Sequence, residues 1–94
     1  MRDSDAVVVD VPEHARYEMA TNAGPAVVAY DRQGSTLVLT HTGVPPEMEG
    51  HGVGSELVAG VLADVRRQGL KIVPQCRFVA AYLQRHPDQA DLVA

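Results

Sequence analysis

The segment Glu47-Met48-Glu49-Gly50-His51-Gly52-Val53-Gly54-Ser55 carries three glycines at alternate positions, immediately before a run with helical periodicity. Residues 36–42 before it alternate as a β-strand does, and apolar residues recur at helical spacing from Val53 to Val65. Glycines lack the Cβ atoms that keep a ligand away from the main chain, and a helix N-terminus presents free N–H groups. Strand, glycine loop and helix together predict an anion site, most often for phosphate. A tight turn that binds nothing is the alternative.

Two common phosphate-binding motifs are excluded by the residues that they require. A P-loop ends in Gly-Lys-Ser or Gly-Lys-Thr, whereas Gly54-Ser55-Glu56 offers a carboxylate and no lysine. A dinucleotide-binding loop counted from Gly50 and Gly52 needs a third glycine where Ser55 stands. It also needs an acidic residue about 20 positions further on, and residues 70–72 contain none.

A wider set of residues resembles the acetyl-coenzyme A motif of the GNAT N-acetyltransferases: the run His41-Thr42-Gly43-Val44-Pro45-Pro46, the glycine loop and the helix after it. The signature of that superfamily, Gln/Arg-x-x-Gly-x-Gly/Ala, maps onto Glu49, Gly52 and Gly54, so an acid stands in its first position. Very small members of the superfamily, about a hundred residues long, share further marks that this chain has at Pro74, Cys76, Phe78, His86 and Pro87. The resemblance covers residues 14–93 and is more specific than the glycines alone.

The resemblance implies acetyl-coenzyme A as the cofactor. The residues that it implies for cofactor binding lie at the strand end and in the loop: Gly43, Val44, Glu49, Gly50, His51, Gly52, Val53, Gly54 and Ser55. Main-chain N–H groups near Gly43 and Val44 would stabilise the oxyanion that develops during acetyl transfer. The side chain of Glu49 is interpreted as a solvated charge.

Cys76 and His41 are the candidate catalytic residues. Cys76 stands between a predicted strand and a predicted helix, whose N-terminus can lower a thiol pKa. The thiol can then protonate the coenzyme thiolate or accept the acetyl group, and a small buried hydrophobe is the alternative. His41 shares a strand face with Leu37 and Leu39 by alternation, and its imidazole can take a proton from the acceptor amine. A strand-end histidine held by hydrogen bonds is the alternative for His41.

The order of elements predicts an α+β fold, with one domain over residues 1–94 and residues 1–5 disordered. An antiparallel meander continues into strand, glycine loop and helix, and then into strand and helix, over residues 14–20, 26–30, 36–42, 53–68, 71–74 and 77–85. Val7–Val9 form either a short strand or a packed leading edge. The resemblance implies a reduced GNAT-like fold, because residues 21–25 stand where ordinary members insert two helices that help to form the acceptor pocket.

Composition narrows the class of protein further. With 94 residues, of which 46% are hydrophobic, the chain suffices for one core, and no apolar run approaches the roughly 18 residues of a membrane span. A single cysteine and the lack of an export signal predict a reducing, cytoplasmic setting. The net charge of −4 argues against nucleic acid as a partner, and the histidines and the cysteine lack metal-ligand spacing.

Two classes of function follow. The first is an enzyme that moves an acetyl group from acetyl-coenzyme A to an amine, with a protein side chain or N-terminus as the expected acceptor because the roof of the pocket is absent. The second is a non-catalytic module that binds coenzyme A or acyl-coenzyme A, which the acid at Glu49 favours. The oligomeric state is not predicted by the sequence.

Overall fold

The computed structural model describes residues 7–94, so the predicted disorder of residues 1–5 lies outside the described residues. Its centre is a five-stranded sheet in the order β1-β2-β3-β4-β5. The strands are β1 (Val8–Val11), β2 (Arg16–Met19), β3 (Ala26–Gln33), β4 (Thr36–Gly43) and β5 (Lys71–Pro74). The first four pair antiparallel, and β5 pairs parallel to β4. The predicted meander and α+β class are confirmed.

Two helices follow the meander: α1 (Val53–Gln68) comes before β5, and α2 (Arg77–Arg85) comes after it. Helix α1 ends where predicted, because Gly69 takes a left-handed conformation (φ 71°) and donates its N–H to Arg66. Short 3-10 turns occupy Pro12–His14, Pro46–Met48 and Pro87–Leu92, and none of the three was predicted. Within the described residues the connections between β1, β2 and β3 contain no α-helix, so the reduced form of the fold is confirmed.

Strand β2 covers only Arg16–Met19 of the predicted residues 14–20, whereas β1 and β3 extend beyond their predicted bounds. Val8–Val11 is a full strand, so the chain turns through Pro12–His14 before β2 begins at Arg16. Strand β3 runs on to Gln33, and the hairpin turn falls at Gly34 (φ 65°). Both extensions lengthen the sheet, because pairing with a neighbouring strand extends a strand past the point where its own sequence pattern stops.

One apolar cluster lies between the sheet and both helices. Alternate strand residues enter it, among them Tyr17, Val28 and Leu39, and none of the three is more than 1% exposed. Glycine within α1 serves this packing: a Cβ on Gly60 would lie 2.4 Å from Cγ2 of Val8. Strand β1 can approach α1 closely only because that position has no side chain.

A β-bulge in the β3–β4 pair decides which residues of β4 face the helices. Ala29 pairs with His41, but the next residue, Tyr30, pairs with Leu39, so Thr40 is an extra residue on β4. The extra residue inverts the alternation along the rest of the strand. Leu39 is buried and His41 is exposed, so the prediction that His41 shares a face with Leu37 and Leu39 is wrong.

Strands β4 and β5 separate at the same level. Their parallel pairing ends at Leu39 and Pro74, and the last link is a hydrogen bond of 2.9 Å that the Cys76 N–H donates to the Leu39 carbonyl. Beyond it β4 continues to Gly43 without β5 beside it. The second half of β4 therefore borders a gap in the molecule.

Candidate active site

A cavity of about 310 Å³ occupies this gap. Its walls come from three separate segments: Thr42 and Val44 at the end of β4, Glu49 and Gly50 in the glycine loop, and Phe78 in the first turn of α2. The volume lies at the lower end of the range for small-molecule sites. The cavity brings the glycine loop and the end of β4 together, as the sequence implied.

The glycine loop leaves the start of α1 open. Gly50 and Gly52 both take positive φ angles, 83° and 77°, and a Cβ on either would meet no atom within 4 Å. Gly52 is the N-cap of α1 and provides no side chain to cap the first N–H groups. These groups and the space around them fit an anion, since an uncapped helix N-terminus favours negative charge.

The residues predicted for the cofactor do not share one environment. Glu49, Gly50, His51 and Gly52 are exposed, and the first two line the cavity. Two others are buried instead: Val53 is 7% exposed and joins the core, and Gly54 lies under another side chain. Glu49 is therefore exposed, as its interpretation as a solvated charge requires, but it also borders the candidate site.

Phe78, like Thr42, lines the cavity but was not predicted as a site residue. A Cβ on Gly54 would lie 2.6 Å from Cζ of Phe78, so the ring rests directly on α1. The ring is 39% exposed and forms a wall of the cavity. The available signal was its position two residues after Cys76, which places it in the same first turn of α2.

Cys76 is the N-cap of α2 and is half-buried. Its Sγ lies 3.3 Å from Oγ1 of Thr42, within hydrogen-bond distance for sulfur. Burial raises the pKa of the Cys76 thiol, but the Thr42 hydroxyl and the N–H groups of Val79, Phe78 and Thr42 outweigh it, so the pKa lies below its ordinary value.

The structure does not bring His41 and Cys76 together. His41 lies on the exposed face of the sheet beside Gly43, where Nε2 would stand 3.3 Å from a Cβ on that glycine. Gly43 therefore makes room for the imidazole of His41. The side chain that reaches both the cavity and the cysteine is the neighbouring Thr42.

Comparison with known proteins identifies the class. A family model described as GCN5-related N-acetyl-transferase matches residues 16–92, and the chain belongs to that family. The resemblance to small GNAT proteins is thus confirmed. The NMR structure of a GCN5-like protein from Staphylococcus aureus is similar, with a TM-score of 0.71 and 24% identity over 94% of this chain and 87% of that chain. At this identity the likeness shows the fold.

Among curated proteins no sequence matches the chain significantly. Neither helix in the described part of the chain has the length and apolar character that crossing a membrane requires.

Proposed function

We propose that this protein transfers the acetyl group of acetyl-coenzyme A to an amine. One observation carries the proposal: a cavity extends from the glycine loop before α1 to Thr42 on β4, whose hydroxyl contacts Sγ of Cys76 where β4 and β5 separate. Membership of the N-acetyltransferase family supports the same reaction. Because acetyl-coenzyme A and free thiols belong to reducing compartments, the proposal includes a cytoplasmic setting.

The residues present fit this cofactor. The uncapped N–H groups between Gly50 and Ser55 can bind the pyrophosphate, and the positive φ angles of the glycines keep side chains away from it. Val44 and Phe78 offer apolar walls to the pantetheine arm. When bound, the cofactor supplies an acetyl thioester, which is already activated toward amines.

Groups at or near the end of β4 would then carry out the separate parts of the acetyl transfer. The transfer forms a C–N bond and breaks a C–S bond, and it releases coenzyme A and the proton of the attacking amine. Main-chain N–H groups of Gly43 and Val44 can donate hydrogen bonds to the carbonyl oxygen as negative charge develops there. The lowered pKa of Cys76 raises the fraction of thiolate, which can attack the acetyl group, and it makes the remaining thiol a better proton donor to the departing coenzyme thiolate. His41 can take part only from the open face of the sheet.

The open construction of the site favours a large acceptor. Only residues 12–15 and 20–25 join the first three strands, so no helical roof encloses a small metabolite. A protein N-terminus or a lysine side chain brings its own surface and needs no such enclosure. We therefore propose a protein or peptide amine as the acceptor.

Glu49 supports the alternative of a binding module without turnover. Its carboxylate lines the cavity at the motif position where Gln or Arg is usual in the superfamily. A like charge near the phosphates weakens binding. This departure from the signature fits a protein that binds the cofactor without turnover.

A direct test separates these functions. The protein is titrated with coenzyme A by calorimetry and then incubated with acetyl-coenzyme A and peptides that carry a free N-terminal amine or a lysine. Binding together with a peptide mass increase of one acetyl group supports the transferase. Binding without transfer to any peptide supports the module, and absence of binding refutes both.

A further inference from the structure

We propose that Thr42, and not His41, is the residue that positions Cys76 and holds its sulfur in reactive form. The inference rests on the proposed function for its role in acetyl transfer, but its geometric basis is independent of any cofactor. The Thr42 hydroxyl lies 3.3 Å from Sγ of Cys76, and the same threonine lines the cavity. The two residues are 34 positions apart, so the fold alone brings them together.

The β-bulge is the reason that Thr42 occupies this place. In a regular strand His41 would follow Leu37 and Leu39 onto the inner face, and Thr42 would point outward. With Thr40 inserted, Thr42 pairs with Val28, which is fully buried on the helix side of the sheet. A hydroxyl therefore faces the start of α2, where Cys76 lies.

A hydroxyl can keep this contact in both protonation states of the cysteine. With the neutral thiol, the S–H group can donate to Oγ1 of Thr42. With the thiolate, the hydroxyl rotates and donates its O–H to the sulfur. Because a hydrogen bond to a charged group is stronger than one to a neutral group, the contact favours the thiolate.

A main-chain hydrogen bond also holds Cys76 against β4. Cys76 donates its N–H to the carbonyl of Leu39, three positions before Thr42 on the same strand. Strand β4 thus holds the cysteine at two points, one through the backbone and one through the side chain. The side-chain contact is made through Thr42, which itself lines the cavity.

Charged side chains do not explain the reactivity of Cys76. Among the described residues, burial and hydrogen bonds act on this thiol, and no charged group is among the causes. The acidic, basic and histidine side chains of the surrounding elements are all exposed or half-buried; they are His41 on β4, Lys71 on β5, Arg77 and Arg85 on α2, Glu56, Asp64, Arg66 and Arg67 on α1, and Glu47, Glu49 and His51 in the loop. Of these, His41 projects from the opposite face of the sheet.

The experiment measures the alkylation of Cys76 by iodoacetamide in free protein as a function of pH, with no cofactor present. The chain has one cysteine, so the mass increase reports a single sulfur. Thr42→Val keeps the shape and removes the hydroxyl, Thr42→Ser restores the hydroxyl, and Thr36→Val makes the same change elsewhere on β4. His41→Gln tests the competing assignment.

We expect Thr42→Val to move the alkylation midpoint to higher pH and to slow alkylation at neutral pH about tenfold. Thr42→Ser should recover most of the rate, and Thr36→Val and His41→Gln should keep the wild-type midpoint. An unchanged profile in Thr42→Val, or an equal shift in His41→Gln, overturns the proposal. If Thr42→Val fails to fold, the same comparison is made with Thr42→Ala.

Failure of this proposal and failure of the proposed function give different results. If Thr42→Val shifts the pH profile of Cys76 alkylation but the wild-type protein transfers no acetyl group, the role of Thr42 stands and only the proposed transferase function is refuted. If the protein transfers acetyl groups but the alkylation profile is the same in Thr42→Val, the transferase function stands and the role of Thr42 is refuted.

Discussion

The same substitution, glycine to alanine, is expected to have different effects at two positions of α1: it should alter binding at Gly54 and stability at Gly60. Gly54→Ala adds a methyl group 2.6 Å from Cζ of Phe78, so the ring must move by about 0.8 Å to reach the 3.4 Å of ordinary contact. Phe78 is 39% exposed, and its ring can swing into solvent. Replacement of a helical glycine by alanine contributes about 1 kcal/mol, which offsets the cost of crowding. We expect the free energy of unfolding to change by less than about 1 kcal/mol.

Binding should respond more strongly than stability at this position. The displaced ring is a wall of the cavity, so its contact with the pantetheine arm is altered. We expect the affinity for coenzyme A to fall about tenfold, which corresponds to about 1.4 kcal/mol. Calorimetric titration of the folded Gly54→Ala variant measures this change directly.

Gly60→Ala is the matched control. Its Cβ would lie 2.4 Å from Cγ2 and 2.8 Å from Cβ of Val8, a short branched side chain on a strand, so β1 itself must shift. Overpacking of this kind costs about 1–3 kcal/mol, and after the gain of about 1 kcal/mol in helix propensity we expect a net loss of up to about 2 kcal/mol. Affinity for coenzyme A should stay the same, because Val8 does not border the cavity.

Urea unfolding of both variants, followed by circular dichroism, gives the stability half of the comparison. The reasoning is refuted if Gly54→Ala loses as much stability as Gly60→Ala and binds coenzyme A like the wild type. Val8→Ala combined with Gly60→Ala should recover part of the lost stability, because it removes Cγ2 of Val8 at 2.4 Å but leaves its Cβ at 2.8 Å.

Three further predictions concern charge, redox chemistry and pH. Glu49→Gln should tighten coenzyme A binding about two- to threefold at low salt and less at high salt, because an exposed carboxylate at the cavity repels phosphate; calorimetry that shows weaker binding contradicts this. Coenzyme A disulfide should exchange with the Cys76 thiolate to give a mixed disulfide and free coenzyme A. The adduct should be visible by mass spectrometry and lost in Cys76→Ala, whereas a native protein that stays unmodified would contradict the reactivity assigned to Cys76. Burial, followed by the influence of Asp10, raises the pKa of Tyr17 and of Tyr30 from 10.0 to about 12. The unfolded chain therefore loses these protons first, so the free energy of unfolding should be fully retained below pH 10 and decline as the pH rises toward 12; urea unfolding in pH steps measures it, and a flat profile would be inconsistent.

The sequence alone determined the features that depend on neighbouring residues in the chain. Helix α1 begins at Val53 and ends before Gly69, as predicted, because apolar spacing indicates a helix and a left-handed glycine ends it. The glycine loop, the strand before it and the short strand Lys71–Pro74 follow from equally local signals. So does the place of Cys76 at the start of α2, which follows from its position between that strand and a helical pattern.

The tertiary structure alone decided which side chains meet. Alternation assumes that a strand is regular, but the register of β4 is set by its pairing with β3, and one inserted residue, Thr40, inverts the face of everything after it. That inversion turns His41 to the exposed face of the sheet and places Thr42 against Cys76. The contact between Phe78 and Gly54 likewise depends on how the two helices pack, and the local sequence of either helix does not predict it.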